Sequence, residues 1–446
     1  MAFVGDYRTD YRTDYADYRR GDGDYRAAGP RRTASGAAGQ PQGLSSLSCT
    51  QLVSCAAISL AAFVYCVGQG ATGPAVAELL LERACATRNL TYPSANCTSS
   101  VESQSDSSRR LSYYNLACSL PALLTVAWVS MVADARGRKM AAVVPYTGSL
   151  LAGLAVAALP DHAVCADWGS GGCVDSFTAL VVLTAVASAS GGYFSVLSFS
   201  FAVIGDVTEG VAGGKLRTYL FAILETALMT GYFVGPALGG ELARRYTIQR
   251  SLYFPVAMYG SGLVMILLAF TDTLDRGKRA PFSWGRANPF GAMWMLLDNR
   301  ISMTLAIIVL LSNASGGSGS VLPLYLGEAL GYGPFETGWF QAAGQAGAAA
   351  GLLLVLPLLQ RCLSTKWIVS ISVGTSTLSG FGGALGAAAL QYSFWRGWPG
   401  ATALPYALNA VGGILTIIWY PCMRSVMSEQ QPPGSSASHG AFAGSG

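Results

Sequence analysis

The stretch 205–240, GDVTEGVAGGKLRTYLFAILETALMTGYFVGPALGG, decides how the rest of the chain is read. A charged, glycine-rich turn with Asp206, Lys215 and Arg217 runs into an apolar helix. That helix carries one carboxylate, Glu225, followed by the ladder Gly231, Gly235, Pro236, Gly239 and Gly240. An acid at the centre of a membrane helix costs about 2.5–3.5 kcal/mol on insertion scales, so Glu225 needs either a compensating neighbourhood or a use. Glycines four apart share one helix face and let a second backbone come close, and Pro236 removes one intrahelical hydrogen bond and permits a bend. Plain helix packing is the bland reading of the glycines, and a structural acid that of Glu225. Acid, bend and smooth face together describe a helix that moves along a transport path.

The remaining composition sets the class. Of 446 residues, 52% are hydrophobic and only 12% charged, against about 25% charged in soluble domains. Ten apolar segments are long enough to cross about 30 Å of hydrocarbon as helices: 51–69, 111–132, 140–160, 177–204, 218–243, 251–270, 302–324, 336–359, 367–390 and 402–423. None shows the alternation of a membrane barrel, so the expected fold is an all-α membrane bundle. The N-terminal tail, Arg136–Lys139, Lys215 with Arg217, the 276–300 loop, Arg361 with Lys366, and Arg424 hold most of the 28 Lys and Arg residues. All fall on one side if the spans alternate, and the excess of basic residues makes that side, with the N-terminus, cytoplasmic. The net charge of +4 is therefore loop asymmetry. Basic patches interleaved with aromatics are missing, so no nucleic-acid partner is expected.

Residues 1–48 repeat Asp-Tyr-Arg at Asp6–Arg8, Asp10–Arg12 and Asp24–Arg26, and again at Asp17–Arg19. This mixed-charge, low-complexity segment cannot bury a core and reads as a disordered cytoplasmic tail. The loop 70–110 is polar and holds two glycosylation sequons, Asn89-Leu90-Thr91 and Asn96-Cys97-Thr98, on the side that the charge pattern places outside. Cys85 and Cys97 share this loop, and Cys165 and Cys173 share the next outer one. Four cysteines in outward loops imply one or two disulfides in an oxidising space, with three pairings open. Cys49, Cys55, Cys66, Cys118, Cys362 and Cys422 lie in or beside helices and read as apolar packers.

The turn after the second span reads SMVADARGRK at 130–139. Asp134 can accept hydrogen bonds from helix N-terminal amides and pair with a basic neighbour, and Gly137 permits a tight turn. Such a charge cluster can latch the inner ends of two halves together. The spacing Asp134-x-x-Gly137-Arg138-Lys139 resembles the signature loop of the major facilitator superfamily, with Ser130 where that family usually has Gly. The ladder Gly231–Gly240 resembles its fifth-helix motif. The resemblance implies a tail over 1–48, a six-helix N-terminal bundle over 49–271, a cytoplasmic linker over 272–301, and over 302–446 a truncated C-terminal bundle with four of the usual six helices. In that plan the two bundles rock around a central site.

Several short pieces together resemble solute carrier family 46, the proton-coupled folate transporter-like family. They are Gly205-Asp206-Val207 before Arg217-Thr218, Ile223-Leu224-Glu225, Tyr325, Gly331-Tyr332-Gly333, Leu359-Gln360-Arg361-Cys362, and PCMRSVMS at 421–428. This resemblance implies inner gating by Asp134, Gly137, Arg138, Asp206 and Arg217, proton coupling at Glu225, and an anionic substrate or coupling role for Arg424. Where the folate carrier has a seventh-helix histidine, the chain reads Ser312-Asn313-Ala314-Ser315, and its two histidines are His162 and His439. Folate-like and muropeptide-like anions are therefore both open. After Arg424 the chain ends without helices eleven and twelve, which reads as a truncated gene model or fragment, with a natural ten-helix isoform as the alternative.

Polar residues inside apolar spans mark a candidate cavity: Asn115, Glu225, Tyr232, Asn313, Gln341, Gln345, Asn409 and Arg424, each costly unless turned into the bundle. Gly213-Gly214-Lys215 lacks the first Gly and the Ser/Thr of a phosphate loop, because Glu209 and Leu216 stand there. No metal-ligand spacing and no nucleophile elbow occur, so neither cofactor, metal nor enzymatic activity is expected. The expected protein moves a small anionic solute with protons across the plasma or an endolysosomal membrane. Its rivals are a transporter-like receptor or scaffold, and an inactive truncated fragment.

Overall fold

The computed structural model describes residues 47–90, 95–98, 100–158, 164–165, 173–174, 176–208, 214–279 and 281, then parts of 303–328, and residues 331–363, 367–375, 404–416, 418 and 420. Helix α1 spans Cys49–Ala86. Ser48 opens it with a capping box: its Oγ accepts from the Gln51 N–H at 3.2 Å, and its own N–H donates to Gln51 Oε1 at 2.9 Å. At 38 residues the helix is about 57 Å long, well beyond the span expected to end at 69. The expected polar loop 70–110 is corrected accordingly, since α1 continues to Ala86 and α2 (Val101–Arg136) begins behind the cap Ser100. The stretch 75–85 is rich in strong helix formers, Ala, Leu and Glu, and Val76, Leu79, Leu80 and Ala84 bury the face they share.

Gly137, at φ 107°, ends α2 and releases the chain into α3 (Arg138–Ala158). A short antiparallel pair, β1 (Val164–Cys165) and β2 (Cys173–Val174), sets Cys165 opposite Cys173. The apolar run expected as one span over 177–204 is broken into α4 (Ser176–Ser188) and α5 (Gly192–Val207). Gly191 and Gly192 lie between them at φ 88° and 47°, a left-handed backbone that interrupts the hydrogen-bond ladder and that glycine adopts without strain. Helix α6 covers Gly214–Arg245. A one-turn helix, Ile248–Ser251, capped by Thr247, leads into α7 (Tyr253–Ala269). Further on come α8 (Pro334–Ala350), a π-helical stretch Gly351–Val355, α9 (Leu356–Cys362) and α10 (Leu404–Thr416).

Six stretches among the described residues are long and apolar enough to cross a membrane: Cys49–Ala86, Val101–Arg136, Arg138–Ala158, Ser176–Val207, Ile248–Ala269 and Pro334–Leu359. Helices α1, α3, α5, α6 and α7 meet in a core where Tyr65, Tyr146, Ile204, Leu224, Leu228 and, just past α7, Phe270 are fully buried. Two of the phenols in this region are satisfied internally: Tyr65 Oη lies 2.8 Å from Ser149 Oγ, and Tyr259 Oη donates to Gln69 Oε1 at 2.9 Å. The outward faces carry Leu120, Leu123, Trp128, Leu151, Val186 and Leu268, as lipid-facing surfaces require. With hydrocarbon on the outside, apolar burial cannot drive these helices together, so close backbone packing must.

Candidate functional site

The glycine ladder of α6 has two working sides. Gly231, Gly235 and Gly239 lie against α1: a Cβ on Gly231 would meet the Phe63 carbonyl at 2.6 Å, one on Gly235 the Ala71 nitrogen at 3.0 Å, and one on Gly239 the Ala71 Cα at 2.9 Å. Gly240 and Pro236 lie against α8, where a Cβ on Gly240 would meet the Pro334 carbonyl at 2.5 Å and one on Gly338 would strike the Pro236 carbonyl. Helix α6 is thus clasped between α1 and α8 with backbone on both sides. Helix α8 continues the pattern toward α10. There a Cβ on Gly344, Gly347 or Gly351 would run into Asn409, Ala410 or Ile414.

Glu225 and Tyr232 are seven residues apart, just under two turns, so they rise on one stripe of α6. That stripe falls between the α1 side and the α8 side, and the exposed Ile223 and Leu238 occupy the far face. Glu225 is 6% exposed. Tyr232 is half-buried and sits edge-on to Tyr193, with ring centroids 5.7 Å apart. On α8, Gln341 and Gln345 share a stripe between the α6 side and the α10 side, and the exposed Trp339 is roughly opposite. Asn409 bridges α10 to α8, its Nδ2 donating to the Phe340 carbonyl at 2.6 Å. Asn115 is half-buried on α2. Asn313 and Arg424 lie outside the described residues, as does the side chain of Arg217 in the first turn of α6.

At one end of the bundle the signature loop closes a charge cluster. Arg138, with a side chain only 4% exposed, donates from Nη1 to Asp134 Oδ1 at 2.6 Å and from Nε to Asp206 Oδ2 at 2.8 Å. Thr273 Oγ1 adds a bond to Asp206 at 3.3 Å. Asp272, just past α7, accepts the Arg138 backbone N–H at 2.9 Å and the Arg279 Nη2 at 2.7 Å. A carboxylate at the first amide of α3 also answers the positive end of that helix. Gly137 cannot carry a side chain, because a Cβ there would overlap the Asp272 carboxylate. The described partners of Arg138 lie within residues 134–272, so the cluster ties α2, α3, α5 and the start of the expected linker to one another.

At the opposite end, Cys85 is joined to Cys97 by a disulfide with Cα atoms 5.7 Å apart. An Arg88–Glu102 ion pair closes the same loop, and Asn89 and Asn96 are both exposed. The free cysteines divide: Cys55 and Cys66 are buried packers, whereas Cys49 and Cys362 are exposed. Asp272 and Arg279 escaped the sequence reading because they stand in what looked like a plain linker. An acid directly after a span whose end meets a Gly-Arg-Lys turn was the available signal. The polar partners Gln69 and Ser149 left no signal at all, since only packing shows which phenol they serve.

Apolar spanning helices, glycine-faced packing at α6 and a charge cluster across the loop ends define a multi-pass membrane protein of transporter-like build. The chain belongs to the Major Facilitator Superfamily, whose sequence model matches residues 56–446. It is similar to the Hippocampus abundant transcript 1 proteins of Mus musculus and Homo sapiens, 26% identical over 252 residues, covering 55% of this chain and 47% of each relative. The chain thus spans about half the length of these curated relatives. Three solved structures share its fold. The human organic anion transporter MFSD10 (TETRAN) has a TM-score of 0.58 at 15% identity, with 89% of this chain and 91% of that one covered. The nucleoside transporter NupG has 0.58 at 13% identity, covering 88% and 87%. A D-xylose-proton symporter has 0.56 at 14% identity, covering 88% and 86%. These neighbours are transporters rather than enzymes.

Proposed function

We propose that the chain is an alternating-access transporter that carries a small organic anion together with protons, with Glu225 as the proton-binding acid. The observation that carries this reading is the buried Glu225 on a helix clasped on both sides by backbone. It stands with Tyr232 on the stripe of α6 that falls between the contacts to α1 and those to α8. A charged carboxylate resists the closing of apolar walls around it. Protonation removes that resistance, so proton and solute cross in the same closing step. The rest of α6 serves the motion, because glycines against α1 and α8 offer no side-chain teeth to unlock. The resemblance of Ile223-Leu224-Glu225 and its companions to solute carrier family 46 supports an anionic cargo, folate-like or muropeptide-like, for which Arg424 is the candidate counter-charge. The exposed Asn89 and Asn96 are candidate glycosylation sites on the non-cytoplasmic side, with the N-terminus cytoplasmic.

The test uses cells expressing the chain and radiolabelled folate or a labelled muropeptide, with and without an inward pH gradient. Glu225→Gln keeps the size of the side chain and mimics its neutral form. Exchange of labelled for unlabelled solute should persist, while accumulation driven by external acid should fall to background. Acid-driven accumulation at the wild-type level would make Glu225 a structural acid and move coupling to Asp206 or Asp134.

A further inference from the structure

The end of the bundle remote from the Asp134–Arg138–Asp206 cluster holds a cavity that the transport reading does not use. The last turns of α6, the one-turn helix Ile248–Ser251 and the first turn of α7 border an open groove of about 510 Å³, lined by Leu242, Tyr246, Arg250, Ser251, Tyr253 and Phe254. That volume falls within the roughly 300–1,000 Å³ of small-molecule sites. Its walls are apolar and aromatic, and Tyr246 and Tyr253 are 59% and 51% exposed. Tyrosines at the ends of spanning helices mark the level at which hydrocarbon gives way to water.

The charge here is unmatched. Arg244 and Arg245 share the single carboxylate of Glu241, and the exposed Arg250 side chain, the one guanidinium that lines the groove, has no ion-pair partner among the described residues. Ser251 is already committed, its Oγ donating to the Ile248 carbonyl at 2.6 Å. Arg250 and the Tyr246 and Tyr253 phenols are therefore the polar groups left to meet a ligand. A greasy groove at the membrane boundary with a lone guanidinium suits an amphiphile whose head is anionic. We propose that this groove holds one anionic phospholipid, its phosphate on Arg250 and Tyr246 and its chain along Leu242, Tyr253 and Phe254. A guanidinium binds phosphate through parallel N–H donors that an ammonium does not have.

Native mass spectrometry of the purified full chain in detergent, titrated with dioleoyl phosphatidylglycerol, reads this directly. Wild type should retain one phosphatidylglycerol in preference to phosphatidylcholine. Arg250→Gln should weaken that binding about fivefold, the factor that corresponds to roughly 1 kcal/mol, the upper end for an exposed charge pair. Tyr253→Ser, at an exposed position, should weaken both lipids. Arg109→Gln removes an exposed charge outside the groove, one paired with Asp106, and should leave binding unchanged. Equal loss with Arg109→Gln, no preference of wild type between the two lipids, or equal competition by water-soluble glycerol phosphate would each overturn the proposal.

Discussion

Gly240 of α6 and Gly338 of α8 meet backbone to backbone: a Cβ added to Gly338 would lie 3.3 Å from the Gly240 Cα and against the Pro236 carbonyl. Neither obstacle is the soft end of a side chain, so the helices themselves would have to part. Gly338→Ala should destabilise the protein by about 1–3 kcal/mol, the usual range for overpacking, read as a lower midpoint of thermal unfolding in detergent. Gly73, in the same protein but with open space around it, is the control, and Gly73→Ala should be neutral or slightly stabilising. Equal effects at both positions would mean that the α6–α8 contact is looser than described.

Arg138 holds two carboxylates at once. Arg138→Gln leaves Asp134 and Asp206 facing each other without a counter-charge, with side chains 11% and 19% exposed. Breaking a buried pair by removing one partner costs about 3–5 kcal/mol. The variant should be strongly destabilised, and Arg138→Lys should rescue little, because one ammonium cannot serve both carboxylates in the observed geometry. A double-mutant cycle of Arg138→Gln with Asp206→Asn should be clearly non-additive in thermal unfolding. Additive effects would show that the two residues act independently.

The break between α4 and α5 rests on Gly191. Its φ of 88° disfavours any side chain, and a Cβ there would also overlap Ser195 Oγ. Gly191→Ala should cost about 1–2 kcal/mol from the left-handed backbone alone, and more from the clash. Adding Ser195→Ala should relieve the overlap with Oγ and leave the backbone cost together with the 2.9 Å approach to the Cβ of residue 195. Full recovery of the thermal midpoint by the double variant would place the whole effect in the side-chain overlap.

The Cys85–Cys97 bridge closes a short loop between α1 and α2. Replacing both cysteines by serine should cost about 2–4 kcal/mol. Maleimide labelling of the denatured wild-type chain should detect the pair only after reduction. Labelling of both before reduction would show that the bridge does not form in the cell.

The spanning helices among the described residues and the superfamily were legible in the residues alone, because hydrocarbon imposes a length and an apolarity that no soluble context asks for. The Asp134-x-x-Gly137-Arg138-Lys139 turn and the Gly231–Gly240 ladder were legible for a related reason. A tight turn and a backbone contact admit few residue types, so their chemistry is written locally. What the ladder touches was not written there. Gly235 against α1 and Gly240 against α8 differ only in helical phase, and a partner becomes known only when the neighbouring helices are in place. The break at Gly191 sat inside an unbroken apolar run, where hydropathy is blind to backbone handedness. Asp272 shows the same limit across a longer distance. Whether it is a loop acid or the cap of α3 depends on where the end of α7 lands, which only the packing of the whole bundle decides.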